Sequence, residues 1–164
     1  MTINNKKSKT IKLKINDIEV IAKDGQMVMD IAKENGIKIP HFCKHDKLER
    51  TGSCRLCIVE IQGKRGLPAS CCTPATDGMI INTHTPKVLE ARRINLELLL
   101  ANHDLNCTIC VKNLDCKLQK YAKELMVHEI RYKGERNIYD VDESSVSIRR
   151  DNNKCIQCGR CYQI

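Results

Sequence analysis

The sequence has no tryptophan, one phenylalanine (Phe42) and four tyrosines among its 164 residues. A core built without large rings buries less apolar area per residue, so something besides packing should hold parts of the chain together. Long apolar runs are missing as well, and none would span a bilayer. The N-terminal stretch MTINNKKSKT has no apolar h-region, so no secretory signal is visible. That weighs against an oxidising compartment and against a framework of disulfides. The eleven cysteines point the same way, because an odd number would leave one thiol unpaired. The composition therefore reads as a cytoplasmic protein with metal-bound thiolates.

The formal net charge of +8 invites a nucleic-acid reading. The basic residues are scattered, however: Lys6, Lys7, Lys9, Lys12 and Lys14, then Lys64 and Arg65, Arg92 and Arg93, Arg149 and Arg150. No single helix face is solidly basic, and stacking platforms are lacking. The cations read as a solvated surface balancing anionic metal clusters.

Residues 1–9 are polar and lysine-rich, an end expected to fray. TIKLKIN and DIEVIAK alternate apolar and polar residues around Asn16-Asp17, which predicts a β-hairpin. MVMDIAKENG carries Val28, Ile31 and Ala32 at helical spacing and closes on Gly36. A long loop is expected over 37–55, then a short strand over Leu56–Ile61, another beginning in Gly66–Ser70, and a last one over Met79–Thr83. Pro86 opens a helix through VLEARRINLELLLANH. A second helix follows Cys116, with Leu118, Tyr121, Ala122 and Leu125 at i, i+3, i+4 and i+7. The stretch 131–147 has linker chemistry with room for one short strand.

Ten of the eleven cysteines fall into three groups. Cys43, Cys54, Cys57 and Cys71 are spaced C-x₁₀-C-x₂-C-x₁₃-C. Four thiolates are what a [2Fe–2S] cluster needs, two for each iron. A zinc site would usually present a second close pair, which is missing here. Cys72 stands next to Cys71 and competes for the fourth place; on an extended strand its side chain would point to the other face. His103, Cys107, Cys110 and Cys116 are spaced H-x₃-C-x₂-C-x₅-C. Such a set can hold one [4Fe–4S] cubane, and Cys₃His is also a structural zinc set, so spacing alone leaves iron and zinc both open. Cys155, Cys158 and Cys161 resemble the start of a bacterial C-x₂-C-x₂-C-x₃-C run, whose next cysteine would fall one residue beyond Ile164. The expectation is an incomplete third motif in an apparently truncated chain, with thiols open to oxidation. His41, His45, His84 and His128 match no ligand spacing and read as surface or loop histidines.

IPHFCKHDKLERTGSCRLCIVEIQG followed by ASCCTPATDGM resembles the N-terminal domain shared by three large subunits. These are the iron–sulfur subunit of respiratory NADH dehydrogenase, the iron-only hydrogenases, and some NAD-linked formate dehydrogenases. NHDLNCTICVKNLDCKLQKYAKEL and SSVSIRRDNNKCIQCGRC look most like the hydrogenase branch. In that family the fourth [2Fe–2S] ligand stands in an A/S-C-x-T-P setting, which the resemblance carries onto Cys71. It likewise carries the cubane onto His103, Cys107, Cys110 and Cys116.

The fold class implied is α+β: a β-grasp [2Fe–2S] ferredoxin-like domain over 1–84, a small helical His/Cys₃ [4Fe–4S] segment over 85–127, a linker over 128–147, and the start of a bacterial-ferredoxin-type domain over 148–164. The function implied is an iron–sulfur electron-transfer module of a larger oxidoreductase, partnered by other redox subunits or domains and without a catalytic site of its own. No H-x-E, Walker or G-x-G-x-x-G motif suggests other chemistry. The competing reading is a zinc-stabilised interaction module without a redox role.

Overall fold

A computed structural model of the chain describes residues 9–132 and 134–163. The frayed end expected over 1–9 lies outside these residues except for Lys9, which is exposed. Strands β1 (Thr10–Ile15) and β2 (Ile18–Lys23) form the hairpin, pairing Ile15 with Ile18 at the turn end. Asn16 and Asp17 both adopt positive φ, at 50° and 67°. That is the tight-turn geometry which short polar side chains tolerate and which matches the twist of the strands. Along β1 the pattern is strict: Ile11, Leu13 and Ile15 point inward while Thr10, Lys12 and Lys14 face water.

Helix α1 (Val28–Glu34) buries Val28, Met29, Ile31 and Ala32 against the sheet side of the core. It ends where expected. Gly36 takes φ 75°, and the Ile37 amide returns to the Ala32 carbonyl at 2.8 Å. The later strands are shorter than the sequence predicts. β3 is only Glu60–Ile61 and β4 is Ile80–Asn82, so the strand expected over Leu56–Ile61 is reduced to two residues plus a bridge from Ile58 to Ala69. No strand runs through 66–70; the chain turns instead into a 3₁₀ helix at Ser70–Cys72. The sheet order is β2-β1-β4-β3, with β4 parallel to β1 and antiparallel to its other neighbour. A helix packed on a small mixed sheet of this order is the β-grasp arrangement of a [2Fe–2S] ferredoxin-like domain.

Thr85 caps α2 (Pro86–Ala101), its hydroxyl accepting from the Val88 amide at 3.3 Å. Helix α3 (Lys117–Glu124) starts immediately after Cys116. The two helices enclose a second apolar cluster of Leu96, Leu100, Leu118 and Leu125. Phe42 and Leu56, from the long loop of the first region, complete it. Tyr121 meets Phe42 with ring centroids 5.3 Å apart, a tilted aromatic contact. The helical segment is thus packed onto the ferredoxin-like domain through the loop that carries the first cysteines. Beyond it, Asp142 and Arg150 exchange both backbone hydrogen bonds at 2.9 Å, the one piece of strand-like pairing described in the connecting stretch. Among the described residues no helix is long and apolar enough to cross a membrane.

Candidate metal centres

The four cysteines of the first group come together as two pairs. Cys43 Sγ and Cys54 Sγ are 3.5 Å apart, and Cys57 Sγ and Cys71 Sγ are 3.3 Å apart. Among the described residues no three cysteine, histidine or carboxylate groups converge as they would on one ion. A single zinc needs all four ligands on one centre, whereas a two-iron cluster needs two on each iron. The two-plus-two arrangement fits the iron pair.

Local geometry holds these sulfurs. The Ser70 hydroxyl donates to the Cys57 carbonyl at 2.7 Å, and the Ser70 amide donates to the same oxygen at 3.0 Å, which fixes the two cysteine-bearing segments side by side. Arg50 ties the loop down, donating to the Cys71 carbonyl at 3.1 Å and pairing with Asp30 of α1. Arg55, inside the C-x₂-C turn, has φ 51°, a left-handed conformation costing a non-glycine residue about 1–2 kcal/mol. Gly52 has φ 63°, which strains any side-chain-bearing residue, and a Cβ there would stand 3.1 Å from Cys72 Sγ, a contact that sulfur would have to yield to by a few tenths of an ångström. The Phe42 amide points at Cys54 Sγ from 3.4 Å, a donor suited to a thiolate.

Electrostatics divide the second pair. The hydrogen bond between the two sulfurs holds Cys57 down to about 6 and pushes Cys71 up, with burial adding to the rise at Cys71. Burial raises Cys54. Cys57 and Cys71 are both buried, and Cys72, 3.5 Å from Cys71 Sγ, is exposed. Because Ser70–Cys72 is a 3₁₀ turn, strand alternation cannot separate the two neighbours. Burial and pairing separate them instead, with Cys71 facing Cys57 and Cys72 directed at the Arg50 carbonyl.

The second group lies on the loop between α2 and α3. His103 follows the end of α2 and is nearly buried, with its Nδ1 fully covered and without any hydrogen-bond partner. Burial lowers its basicity, opposed by a hydrogen bond with the Cys155 backbone. A buried neutral imidazole with an uncommitted ring nitrogen is the state a metal ligand needs. Cys107 and Cys110 bracket a 3₁₀ turn, and Cys116 caps α3. The Lys112 amide points at Cys110 Sγ from 3.5 Å. Among the described residues no three of these four groups converge, so the structure places His103, Cys107, Cys110 and Cys116 on one loop without drawing them together as it does the first four cysteines. In the third group the Gln157 amide points at Cys155 Sγ from 3.3 Å and the Arg160 guanidinium at Cys158 Sγ from 3.5 Å. Cys155 and Cys161 are exposed.

The remaining histidines are placed as loop residues, though not all at the surface. His45, His84 and His128 are exposed, while His41 is half-buried with its Nδ1 2.9 Å from the Ile39 carbonyl.

Comparison with known proteins bears on both centres. Residues 8–86 match the family described as a 2Fe-2S iron-sulfur cluster binding domain. Residues 92–131 match the NADH-ubiquinone oxidoreductase-G iron-sulfur binding region. The chain thus carries one region similar to each of these two iron–sulfur families. It therefore has one [2Fe–2S] and one [4Fe–4S] binding region, with the first four cysteines in one and His103, Cys107, Cys110 and Cys116 in the other. It is 41% identical over 144 residues to the NADP-reducing hydrogenase subunit HndD of Solidesulfovibrio fructosivorans, an alignment covering 84% of this chain and 24% of the relative. It is 38% identical over 156 residues to an NADH-quinone oxidoreductase subunit of Rhizobium meliloti, covering 94% of this chain and 18% of the relative. A crystal structure of NAD+-reducing [NiFe]-hydrogenase in the H2-reduced state superimposes with a TM-score of 0.86 at 31% identity, over 93% of this chain and 64% of the other. The chain spans a quarter or less of the length of these two curated relatives.

Sequence reading missed two features of this region. Arg92, which the sequence places among the solvated cations, is 1% exposed. Glu97 is equally buried and receives both arms of the Arg131 guanidinium at 2.8 Å. A charged residue falling on the buried stripe of α2, beside Val88 and Leu96, is the signal that could have found them.

Proposed function

We propose that the chain is the electron-relay portion of a larger oxidoreductase, with Cys43, Cys54, Cys57 and Cys71 as [2Fe–2S] ligands and His103, Cys107, Cys110 and Cys116 as [4Fe–4S] ligands. When bound, such clusters take up and release single electrons without bond chemistry at the protein. One observation carries the reading: Cys54 of the first set, Cys116 of the second and Cys158 of the third motif all pack against the same apolar cluster of Phe42, Leu56, Leu96, Leu100, Leu118 and Leu125. The side chains here keep water out from between the sites, orient the thiolates and supply amide donors to sulfur. Burial and hydrogen bonding of that kind set potentials.

The organisation that goes with it is a [2Fe–2S] domain over 1–84, a His/Cys₃ segment over 85–127, a linker over 128–147 and the start of a ferredoxin-type region over 148–164. Cys155, Cys158 and Cys161 offer three thiolates to that last region. By analogy with the hydrogenase and NADH dehydrogenase relatives, the partners are other redox subunits or domains, one of which holds the catalytic site, and the location is the cytoplasm.

The test is anaerobic purification followed by metal analysis and electron paramagnetic resonance of the reduced chain. Iron near six atoms per chain is expected from the two clusters. His103→Ala should remove the cubane signal and leave the [2Fe–2S] signal. Stoichiometric zinc with little iron, or joint loss of both signals in the variant, overturns the reading.

A further inference from the structure

Arg92 lies in α2, on the helical segment, yet its side chain reaches into the ferredoxin-like domain. Its Nη2 donates to the Ile58 carbonyl at 2.7 Å, and Ile58 directly follows Cys57. Its Nε is covered and has no partner. The acids nearest to it along α2 are engaged elsewhere: Glu90 pairs with Arg93 and Arg131, and Glu97 with Arg131. Among the described residues no carboxylate lies within ion-pair distance of Arg92. A buried cation without a counter-charge is strongly unfavourable. Burial indeed pulls the guanidinium down to about 10, and attraction to Cys57 opposes that fall. Four thiolates on two ferric irons and two sulfides carry a net negative charge, and reduction adds one electron and makes the site more negative still.

We propose that Arg92 is the built-in counter-cation of the [2Fe–2S] site, held beside Cys57 by the Ile58 carbonyl to favour the reduced state. This rests on the ligand reading of Cys43, Cys54, Cys57 and Cys71. Arg92 touches no ligand sulfur. It is a positioning residue acting through charge, and because it comes from α2 the potential of one centre depends on the docking of the segment that carries the other.

The experiment is a redox titration of the loaded full chain, following the [2Fe–2S] signal by electron paramagnetic resonance in wild type, Arg92→Gln and Arg92→Lys. At the wild-type midpoint, Arg92→Gln should lower the reduced-to-oxidised ratio about tenfold, equivalent to about 59 mV for one electron. Arg92→Lys should stay within about threefold of wild type, and the cubane signal should shift less than the [2Fe–2S] signal. An unchanged ratio in a loaded Arg92→Gln overturns the proposal. If neither Arg92→Gln nor Arg92→Met takes up iron while Arg92→Lys does, the charge is required for loading and the proposal stands. If Arg92→Lys also fails to load, the role is one of shape and the proposal falls. A wild type with no [2Fe–2S] signal would instead overturn the ligand reading beneath it.

Discussion

Two adjacent sulfurs, those of Cys71 and Cys72, present the sharpest choice at the scale of single residues. Cys71 is buried and faces Cys57 at 3.3 Å, and Cys72 is exposed. Cys71→Ala should therefore abolish the [2Fe–2S] absorption and electron paramagnetic resonance signal, and Cys72→Ala should leave both unchanged. Retention of the native signal in Cys71→Ala would show that Cys72 is the ligand. The cysteine groups themselves were legible in the sequence because ligand chemistry requires particular side chains at short separations. The pairing of Cys43 with Cys54 and of Cys57 with Cys71 was not, since it depends on how a long loop folds back beside a turn. Arg92 was not legible either. A cation is ordinarily read as solvated, and only the packing of α2 onto Ile58 reveals otherwise.

At the scale of elements, α2 presents opposite faces of its function through neighbouring residues. Leu96 is fully buried in the cluster that touches both candidate centres. Leu96→Ala should destabilise the loaded chain by about 2–5 kcal/mol, measured by denaturant unfolding. It should also speed iron loss to chelators from both centres together. Glu97, one position on, holds Arg131 and through it the chain leaving α3. The Arg131 hydrogen bond keeps the Glu97 carboxyl below its ordinary 4.5. A depressed carboxyl supplies stability above its ordinary value and loses it as pH falls through the depressed one. The protection factors of the amides at 128–132, corrected for the intrinsic pH dependence of exchange, should thus fall as pH drops through a value below the ordinary carboxyl range, and Glu97→Gln should show the lower protection already at neutral pH. The helices were read well from periodicity and caps, because those signals are local. The strands β3 and β4 were read as longer than they are, because β4 takes its pairing from distant β1 and β3 pairs only with the short β4.

For the whole molecule, the candidate centres are part of the packing. Cys57 and Cys71 belong to the core of the ferredoxin-like domain, while Cys54 and Cys116 pack on the core of the helical segment. Metal binding and folding should consequently be coupled. Stripping iron with a chelator should abolish amide protection first over 37–120, with the β1–β2 hairpin the last to lose it, as followed by hydrogen exchange and mass spectrometry. Unchanged protection across 37–120 after iron removal would contradict this. A domain poor in aromatics, with candidate metal ligands in both apolar clusters, would draw on cofactor bonds where rings are scarce.

The parallel pairing of Lys14 with Ile80 has a consequence for biogenesis. During synthesis all four thiols of the first group leave the ribosome before β4 does, and the sheet cannot close until that strand arrives. The interval gives assembly factors a time window in which the sulfurs are reachable. Once β4 pairs with β1, Cys43, Cys57 and Cys71 are buried, so iron should enter most readily before the sheet closes, and later loading should be limited by local reopening.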